Sequence, residues 1–291
     1  MSKNQIQNEY LKVSINHQGA ELASIQDANG KEYMWHADPQ FWGRHSSILF
    51  PYIGKVFNDE YRIGNQTFKG KQHGFARNSK FESIISEKTK THFQLKYNED
   101  TLVAYPYKFS LNVKYVLIKN QLQIIYEVEN LEEQTIYFSL GAHPAFNVPL
   151  NKNEKRSDYS LEFNKDESVE SLLITDGFLN GNSRDIFNGK NSFQISDNLF
   201  DHDALIFKNM ESNQVSLVNN DGKKIWTFDY SGFSYLGIWS QNEKSPFVCI
   251  EPWMGVADKL DADWDFREKE GVVAVEIGGK FKCVHTVTIH E

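Results

Sequence analysis

The sequence is poor in cysteine, in long apolar runs and in clustered positive charge, and each absence excludes a class of protein. Only 2 of the 291 residues are cysteine, which is too few for the disulfide framework of a small secreted protein. No stretch approaches the ~20 consecutive apolar residues of a membrane-spanning helix, so we expect no membrane partner. The net charge is -8 and no basic block occurs. We therefore expect no nucleic-acid partner, because phosphates attract clustered Lys and Arg.

Signals that would define secretion, a cofactor or a metal are also missing. Residues 1–10 lack the apolar core of a secretory signal, which favours a cytoplasmic protein. In that reducing compartment we expect Cys249 and Cys283 to be buried thiols, with a disulfide only if their strands are neighbours. Phosphate-binding glycine loops and metal-ligand spacings are absent, and the acidic run 261–265 lacks the glycine and bidentate glutamate of an EF-hand. We therefore expect no cofactor and no metal, and we interpret 261–265 as a solvated loop.

What the sequence does contain is a long series of strand patterns. Apolar and polar residues alternate with a period of two over 109–117 and again over 122–128, which predicts an antiparallel hairpin. The turn dipeptide Asp221-Gly222 between two apolar runs predicts another. The best helix candidate is a single turn at 265–270. Because no change of composition divides the chain, we predict an all-β fold, one large antiparallel β-sandwich domain over 1–291 with few short helices.

Two strand ends carry groups suited to proton transfer. His143 follows a strand-like run and stands between a glycine at 141 and a proline at 144, which favour a strained exit that displays the side chain. A hydrogen-bonded structural histidine is the alternative. Glu251 follows the apolar run 247–250, so its carboxylate emerges from a buried strand. Burying an unpaired carboxylate is costly, so either a function or an ion pair with Arg or Lys would explain it.

A third candidate is the segment 73–77, where His73 and Arg77 lie on either side of a glycine. This arrangement predicts a loop that offers two polar side chains to a ligand. A simple turn with a surface arginine is the alternative interpretation.

Together these motifs resemble the aldose 1-epimerase (galactose mutarotase) superfamily, most closely its galactose-mutarotase-related, LacX-type branch. The resemblance runs along nearly the whole chain, and its specificity comes from the order and spacing of short motifs. These are Trp42-Gly43-Arg44-His45, Leu49-Phe50-Pro51-Tyr52-Ile53-Gly54, His73-Gly74-Phe75-Ala76-Arg77, Gly141-Ala142-His143-Pro144-Ala145-Phe146-Asn147, Asp203-Ala204-Leu205-Ile206-Phe207 and Cys249-Ile250-Glu251-Pro252-Trp253. The resemblance implies a large galactose mutarotase-like β-sandwich with a sugar site in a groove of one concave sheet.

The family's site residues can be carried over position by position. The resemblance implies that His143 is the catalytic acid and Glu251 the catalytic base, converging from opposite sides on one sugar ring. A second site histidine falls on His73. The sugar-binding aspartate falls on Asp203, with Asp201 as a competing assignment.

Three further substrate contacts are expected. Arg77 belongs to the loop described above, and Trp253 is expected to face the apolar side of the sugar. Lys55 stands where other members of the family have an arginine. A lysine lacks the planar fork of a guanidinium, so the bidentate sugar contact of the family is in question at this position.

The implied activity is that of an isomerase that interconverts the α and β anomers of a free aldohexose by opening and reclosing the ring. Unperturbed pKa values of about 4.3 for Glu and about 6.5 for His would make Glu251 the base and His143 the acid at neutral pH. One alternative is the same chemistry on a hexose 6-phosphate met by Arg77, Arg44 and Lys55. Another is a sugar-binding sandwich without catalysis. The expected partner is a small sugar, and the sequence leaves a homodimer open.

Overall fold

Short strands make up most of the regular structure in the computed structural model, which describes residues 3–260 and 262–290. In chain order the strands are β1 (Lys3–Gln7), β2 (Leu11–Asn16), β3 (Leu22–Asp27), β4 (Ser46–Leu49), β5 (Glu60–Ile63), β6 (Gln66–Lys69), β7 (Glu82–Ser86), β8 (Lys90–Lys96), β9 (Phe109–Ile118), β10 (Gln121–Asn130), β11 (Ile136–Phe138), β12 (Leu140–Asn147), β13 (Tyr159–Phe163), β14 (Ser171–Thr175), β15 (Phe178–Arg184), β16 (Ser192–Gln194), β17 (Leu205–Lys208), β18 (Gln214–Asn219), β19 (Lys224–Asp229), β20 (Tyr235–Trp239), β21 (Phe247–Met254), β22 (Val273–Val275) and β23 (Lys280–Ile289). The helical segments of the described residues are α1 (Glu99–Ala104) and the 3₁₀ turns Phe57–Asp59, Ala76–Asn78, Arg156–Asp158 and Phe266–Glu268. None of these helical segments is long and apolar enough to cross a membrane.

Two large antiparallel sheets dominate the architecture. The nine-stranded sheet has the order β16-β13-β18-β19-β23-β10-β9-β8-β7, and the seven-stranded sheet has the order β15-β14-β17-β20-β21-β12-β4. Three small sheets, β1-β2-β3, β5-β6 and β11-β22, complete the set that the described residues form. The pairings within both large sheets are antiparallel, so the predicted all-β antiparallel fold with few short helices is confirmed.

The main core lies between the two large sheets and follows the alternation read from the sequence. On β9, Phe109, Leu111 and Val113 are fully buried. The same apolar cluster includes Phe146 on β12 and Ile250 on β21. Each such side chain contributes ~1.5–3 kcal/mol when it is removed from water. The two inner faces therefore hold the sheets together as a sandwich.

Both hairpins predicted from the sequence are present. Ile118 pairs with Gln121 beside the turn that joins β9 to β10, and β18 pairs with β19 across the turn that contains Asp221-Gly222. Cys249 lies on β21 and Cys283 on β23, which belong to different sheets. Both cysteines are buried and free, so the expectation of buried thiols is confirmed.

The acidic run 261–265 differs from the prediction, although Asp261 itself lies outside the described residues. Asp265 accepts hydrogen bonds from the backbone N–H groups of Gly64 (2.6 Å) and Arg267 (2.9 Å). It also pairs with the Arg267 guanidinium at 2.7 Å, and its side chain is only 13% exposed. The solvated-loop interpretation is therefore wrong for Asp265, because its partners include a residue far away along the chain.

The helical segments are as short as the sequence suggests. The single turn expected at 265–270 is confirmed as the 3₁₀ turn Phe266–Glu268, with Asp265 as its N-cap. The six-residue helix α1 was not expected. It begins with a capping box in which Asn98 and Thr101 exchange side-chain and backbone hydrogen bonds, a signal too short to stand out among the strand patterns.

The face of the seven-stranded sheet that points away from the main core carries the groups of interest. Along β21, Val248 and Ile250 belong to the main core. Cys249 and Trp253 instead belong to two smaller clusters on the other face of the strand. Because strand side chains alternate between faces, Glu251 shares the face of Cys249 and Trp253.

Candidate active site

The site is built on β12 and β21, which are neighbours in the seven-stranded sheet. Gly141 pairs with Trp253 and Ala145 with Cys249, so His143 and Glu251 lie midway between these pairs on the same face. Both are followed by a proline, which gives no N–H to the ladder. The backbone pairing is accordingly interrupted between the two anchoring pairs, and the side chains at that position meet each other.

His143 and Glu251 are in direct contact. Nε2 of His143 lies 3.3 Å from Oε1 of Glu251, and their side chains are only 10% and 2% exposed. Nδ1 of His143 and Oε2 of Glu251 have no hydrogen-bond partner among the described residues. The expectation that the two groups approach a sugar from opposite sides is therefore wrong, because their strands are adjacent and place them side by side.

Burial controls the protonation of this pair. It raises the pKa of the Glu251 carboxyl well above its usual value, and the charge of Asp203 raises it further, while the indole of Trp253 opposes the shift. Burial lowers the pKa of His143 to about 3, and two nearby guanidinium groups act in the same direction against its own backbone carbonyl. Both shifts favour the neutral forms of the two groups over the ion pair that the unperturbed pKa values predicted.

His73 is a neutral hydrogen-bond donor beside the pair. Its Nδ1 accepts a hydrogen bond from the backbone N–H of Gly54 at 3.1 Å, so the ring proton resides on Nε2. Burial lowers the pKa of His73 well below its usual value, and His143, Arg77 and Arg44 add to the effect. The ring centroids of His73 and His143 are 5.8 Å apart in an edge-to-face arrangement.

Two tryptophans that the sequence did not single out enclose the imidazole of His143. Trp42 is stacked on it, with ring centroids 4.6 Å apart and an interplanar angle of 23°. Trp239, at the end of β20, approaches it edge-on at 5.6 Å. Trp42 belongs to one of the motifs of the family resemblance, but nothing in its local sequence indicates this contact. Trp239 lies on the same face of the sheet as Trp253 on the neighbouring strand. This relation becomes visible only when the register of the two strands is known.

Trp253 lies flat across the sheet because both neighbouring strands carry a glycine beside it. A Cβ on Gly141 would be 2.7 Å from Cδ1 of the indole, and one on Gly237 would be 2.5 Å from its Cζ2. Neither distance is tolerable between carbon atoms. The indole N–H forms no hydrogen bond within the described residues. An apolar ring thus lies directly beside the Glu251 carboxyl.

These side chains line a cavity of about 260 Å³, somewhat smaller than the ~300–1,000 Å³ of pockets for drug-sized ligands. Its lining includes six of the seven predicted site residues, namely His73, Arg77, His143, Asp203, Glu251 and Trp253. Trp42, Trp239 and Gln72 line it as well. A cavity of this size and mixed polarity suits one monosaccharide.

Lys55 is the predicted site residue that is not among the lining residues. Its Nζ donates a hydrogen bond to the carbonyl of Asp176 at 2.8 Å and lies 5.7 Å from the ring centroid of Phe178. Its aliphatic stem passes next to Gly177, which does line the cavity. The structure thus places Lys55 behind the wall of the cavity, and its substrate-binding role is not supported by the geometry.

Asp203 lies at the exposed rim of the cavity in a backbone conformation with positive φ, 69°. Its Oδ1 accepts a hydrogen bond from the backbone N–H of Ala204 at 2.8 Å. Asp201 is not among the lining residues. Of the two competing assignments, the geometry favours Asp203.

Arg77 lines another side of the cavity, and Arg44, which is not among the lining residues, contacts the Arg77 backbone. Arg77 donates to the carbonyl of Gln72 at 2.6 Å, and its buried Nε has no partner. Arg44 donates to Oδ1 of Asn78 at 2.8 Å and to the carbonyl of Arg77 at 3.4 Å. Neither forms an ion pair with a carboxylate in the described part of the chain. Burial and the charge of Arg44 lower the pKa of Arg77 to about 10.

One group of potential metal ligands occurs at the same place. Donor atoms of His143, Cys249 and Glu251 lie within 4.8 Å of one another. Their spacing along the chain gives no hint of this, because they come from two strands. Burial and the Glu251 charge raise the pKa of the Cys249 thiol well above its usual value, and a thiolate is the form that binds metal. Together with the two arginines, this electrostatic setting disfavours a cation.

The comparisons with known proteins agree with the fold. A family model for aldose 1-epimerases matches residues 2–262. The chromosomal protein LacX of Lactococcus lactis subsp. lactis is 36% identical over 280 residues, which cover 93% of this chain and 94% of that protein.

Solved structures are equally similar. A galactose mutarotase related enzyme from Lactobacillus acidophilus superimposes with a TM-score of 0.94 and 36% identity over 100% of this chain and 98% of its own. A galactose mutarotase-like protein from Lactobacillus casei gives a TM-score of 0.93 and 34% identity over 99% and 100% of the two chains. The fold is therefore that of the galactose mutarotase-like β-sandwiches. The chain belongs to the aldose 1-epimerase family.

Proposed function

We propose that this chain is an aldose 1-epimerase, an isomerase that interconverts the α and β anomers of a free aldohexose. The observation that carries the proposal is the buried contact between His143 and Glu251 in the wall of a sugar-sized cavity. An acid and a base that touch suit a reaction in which one proton is taken and another is given at neighbouring atoms. A protein that only binds sugar needs groups to pair with hydroxyls, but it does not need this matched pair.

The reaction requires two proton transfers at adjacent oxygens. The anomeric oxygen O1 and the ring oxygen O5 are both bonded to C1, so one side of the sugar presents both. Glu251, as carboxylate, takes the proton of O1–H while His143, as imidazolium, gives a proton to O5. The C1–O5 bond breaks, its electron pair moves to O5, and C1 becomes an aldehyde. Rotation about C1–C2 and reversal of both transfers close the ring on the other face. Each positioned transfer typically contributes ~10²–10⁴ in rate.

The reactive ion pair differs from the neutral pair that burial favours by the position of a single proton. Transfer of that proton from Glu251 to His143 across 3.3 Å leaves the net charge unchanged. Sugar hydroxyls that donate to the unpartnered Oε2 of Glu251 favour the transfer, since a hydrogen bond to a charged form stabilises that form. The Nε2–H of His73 and the carboxylate of Asp203 are suited to orient other hydroxyls. The indole of Trp253 offers an apolar surface to the ring.

Replacement of the base tests the proposal. Glu251→Gln keeps the size of the side chain and removes the group that accepts the proton, so we expect the fold to persist and anomer exchange to fall by at least ~10². Saturation-transfer NMR on galactose and glucose measures the exchange directly. Glu276→Gln is the matched control, because Glu276 is exposed and distant from the cavity; it should exchange at the rate of the unmodified chain.

Two outcomes would contradict the proposal. Undiminished exchange in Glu251→Gln, with the melting temperature unchanged, would remove Glu251 from the mechanism. Saturable sugar binding by the unmodified protein without any acceleration of exchange would instead favour the non-catalytic sugar-binding alternative.

A second candidate function has one observation in its favour. Arg77 lines the cavity and Arg44 contacts its backbone carbonyl, and neither has a carboxylate partner in the described residues. A phosphate is a suitable partner for such guanidinium groups. The corresponding substrate is a hexose 6-phosphate, undergoing the same chemistry. Exchange rates for glucose and glucose 6-phosphate decide between the two. A preference for the phosphate that disappears in Arg44→Met, but not in a control variant of the exposed Arg62, would support the second candidate.

A further inference from the structure

The mechanism needs His143 as an imidazolium, and most of its surroundings oppose that charge. Arg77 and Arg44 lower the pKa of His143, and burial lowers it more. Of the negative groups, Glu251 touches the ring, and Glu21 acts from a distance. Glu21 itself is engaged by His45 at 3.2 Å.

The remaining neighbours of His143 are neutral. His73 faces it edge-on from the loop that carries Arg77 and is itself held uncharged by burial. Cys249 on β21 keeps its thiol proton, because burial raises its pKa. Trp239 approaches edge-on from β20. None of these neighbours supplies a charge that would stabilise an imidazolium.

The stacked ring of Trp42 supplies the electrostatic stabilisation of an imidazolium that these groups do not. The face of an indole carries negative electrostatic potential and attracts a cation placed over it, most strongly where water is excluded. The imidazole of His143 lies over this face at 4.6 Å and 23°. The backbone carbonyl of Trp42 accepts a hydrogen bond from the indole N–H of Trp35 at 2.8 Å. The backbone N–H of Trp42 donates to the carbonyl of Asp38 at 2.9 Å. These bonds hold the backbone of Trp42 in place, and packing against Phe247 and Trp239 holds its ring.

We propose that Trp42 is a positioning residue that stabilises the imidazolium form of His143 through the face of its indole, and so raises the fraction of molecules in which the His143–Glu251 pair is charged. The proposal rests on the proposed function for its role in turnover, but not for its effect on His143. Trp42 is a poor sugar platform, because its ring is stacked against both His143 and Phe247 and touches Trp239 at an edge.

The test compares Trp42→Leu and Trp42→Phe with the control Phe41→Leu. Phe41 is in the same loop and packs against Trp35, 6.1 Å away, so the control reports general loosening of the loop. With saturating galactose, the ¹⁵N shifts of the His143 ring measure the imidazolium fraction. Saturation transfer gives kcat and KM.

In Trp42→Leu we expect the imidazolium fraction and kcat to fall by about tenfold, with KM within about twofold of the unmodified value. Trp42→Phe should be intermediate, since a benzene face attracts a cation less strongly than an indole face does. Phe41→Leu should match the unmodified protein.

Three results would overturn the proposal. One is an imidazolium fraction in Trp42→Leu equal to that of the unmodified chain. Another is a rise in KM at constant kcat, which would make Trp42 a sugar contact. A third is equal losses in Phe41→Leu, which would make the effect one of packing. If the unmodified protein does not accelerate anomer exchange, the proposed function fails, while the ¹⁵N comparison still decides the role of Trp42.

Discussion

At the scale of residues, His143 and Glu251 form one coupled unit, with the proposed roles of acid and base. Because the two groups are 3.3 Å apart, the protonation state of one changes the pKa of the other. Burial separates the two proton-binding steps of the unit. The pKa for the first proton is well above the usual pKa of a glutamate, and the pKa for the second proton is about 3.

This separation predicts a broad pH optimum for anomer exchange. As pH falls toward the pKa of His143, about 3, the pair takes up a second proton and loses its base. As pH rises through the raised pKa of Glu251, the pair loses its only proton and with it the acid. Between these limits kcat/KM should be flat. A decline centred near about 4.3 or about 6.5, the values of isolated Glu and His, would show that the two groups titrate independently.

At the scale of elements, the strands around β21 are shaped to lay the Trp253 indole against the sheet. The flanking glycines on β12 and β20 remove the Cβ atoms that would stand in its place. The sequence shows both glycines within strand patterns, where glycine is usually unfavourable. Their purpose becomes visible only when the register places them beside one indole ring.

The close approach predicts a strong coupling between Gly237 and Trp253. In Gly237→Ala the new methyl group would lie 2.5 Å from Cζ2 of the indole, so we expect a loss of about 1–3 kcal/mol in the free energy of unfolding and weaker sugar binding. In a Trp253→Phe background the clashing indole atoms are absent. There, Gly237→Ala should lower the free energy of unfolding by less than half as much. Urea unfolding of the four proteins measures this double-mutant cycle. Additive effects would contradict the geometry.

The sequence predicted elements better than it predicted contacts between them. Alternation within each strand is a local property, so the hairpin β9-β10 could be read directly. The strand-end positions expected for His143 and Glu251 are wrong, because both residues lie in the interior of eight-residue strands that continue past the following proline. The contact between those two side chains depends on which strands are neighbours, which no local pattern encodes. The preference of the pair for its neutral forms depends on burial from all sides. Lys55 matched a family position in sequence, yet its side chain runs behind Gly177.

At the scale of the whole molecule, a second buried histidine links stability to pH. His285 on β23 faces the main core, where its ring stacks on Phe228 with centroids 4.9 Å apart. Burial lowers its pKa to about 3, against a small opposing effect of Asp229. The folded protein thus keeps His285 neutral, whereas the unfolded chain binds a proton below about pH 6.5. The neutral ring therefore makes its full contribution to the free energy of unfolding above about pH 6.5, and this contribution is lost as the pH falls toward 3.

We therefore expect His285→Phe to be more resistant to acid than the unmodified chain. Its advantage in the free energy of unfolding should grow by up to ~1.4 kcal/mol for each pH unit below about 6.5. Anomer exchange should not change, since the residue lies in the other sheet. Urea unfolding at several pH values between 7 and 4 measures the slope. His202→Gln, at an exposed position, serves as the control, and an identical slope in all three proteins would contradict the prediction.

The placement of the acid and the base on adjacent strands has a consequence for how such a protein can change. The spacing of His143 and Glu251 is set by the paired residues on either side of them, Gly141 with Trp253 and Ala145 with Cys249, which hold β12 against β21. His73, Arg77 and Asp203 come from connecting segments, which tolerate insertion and exchange. Under the proposed function, changes in those segments would alter which sugar is bound, while the positions of the proposed acid and base would stay the same.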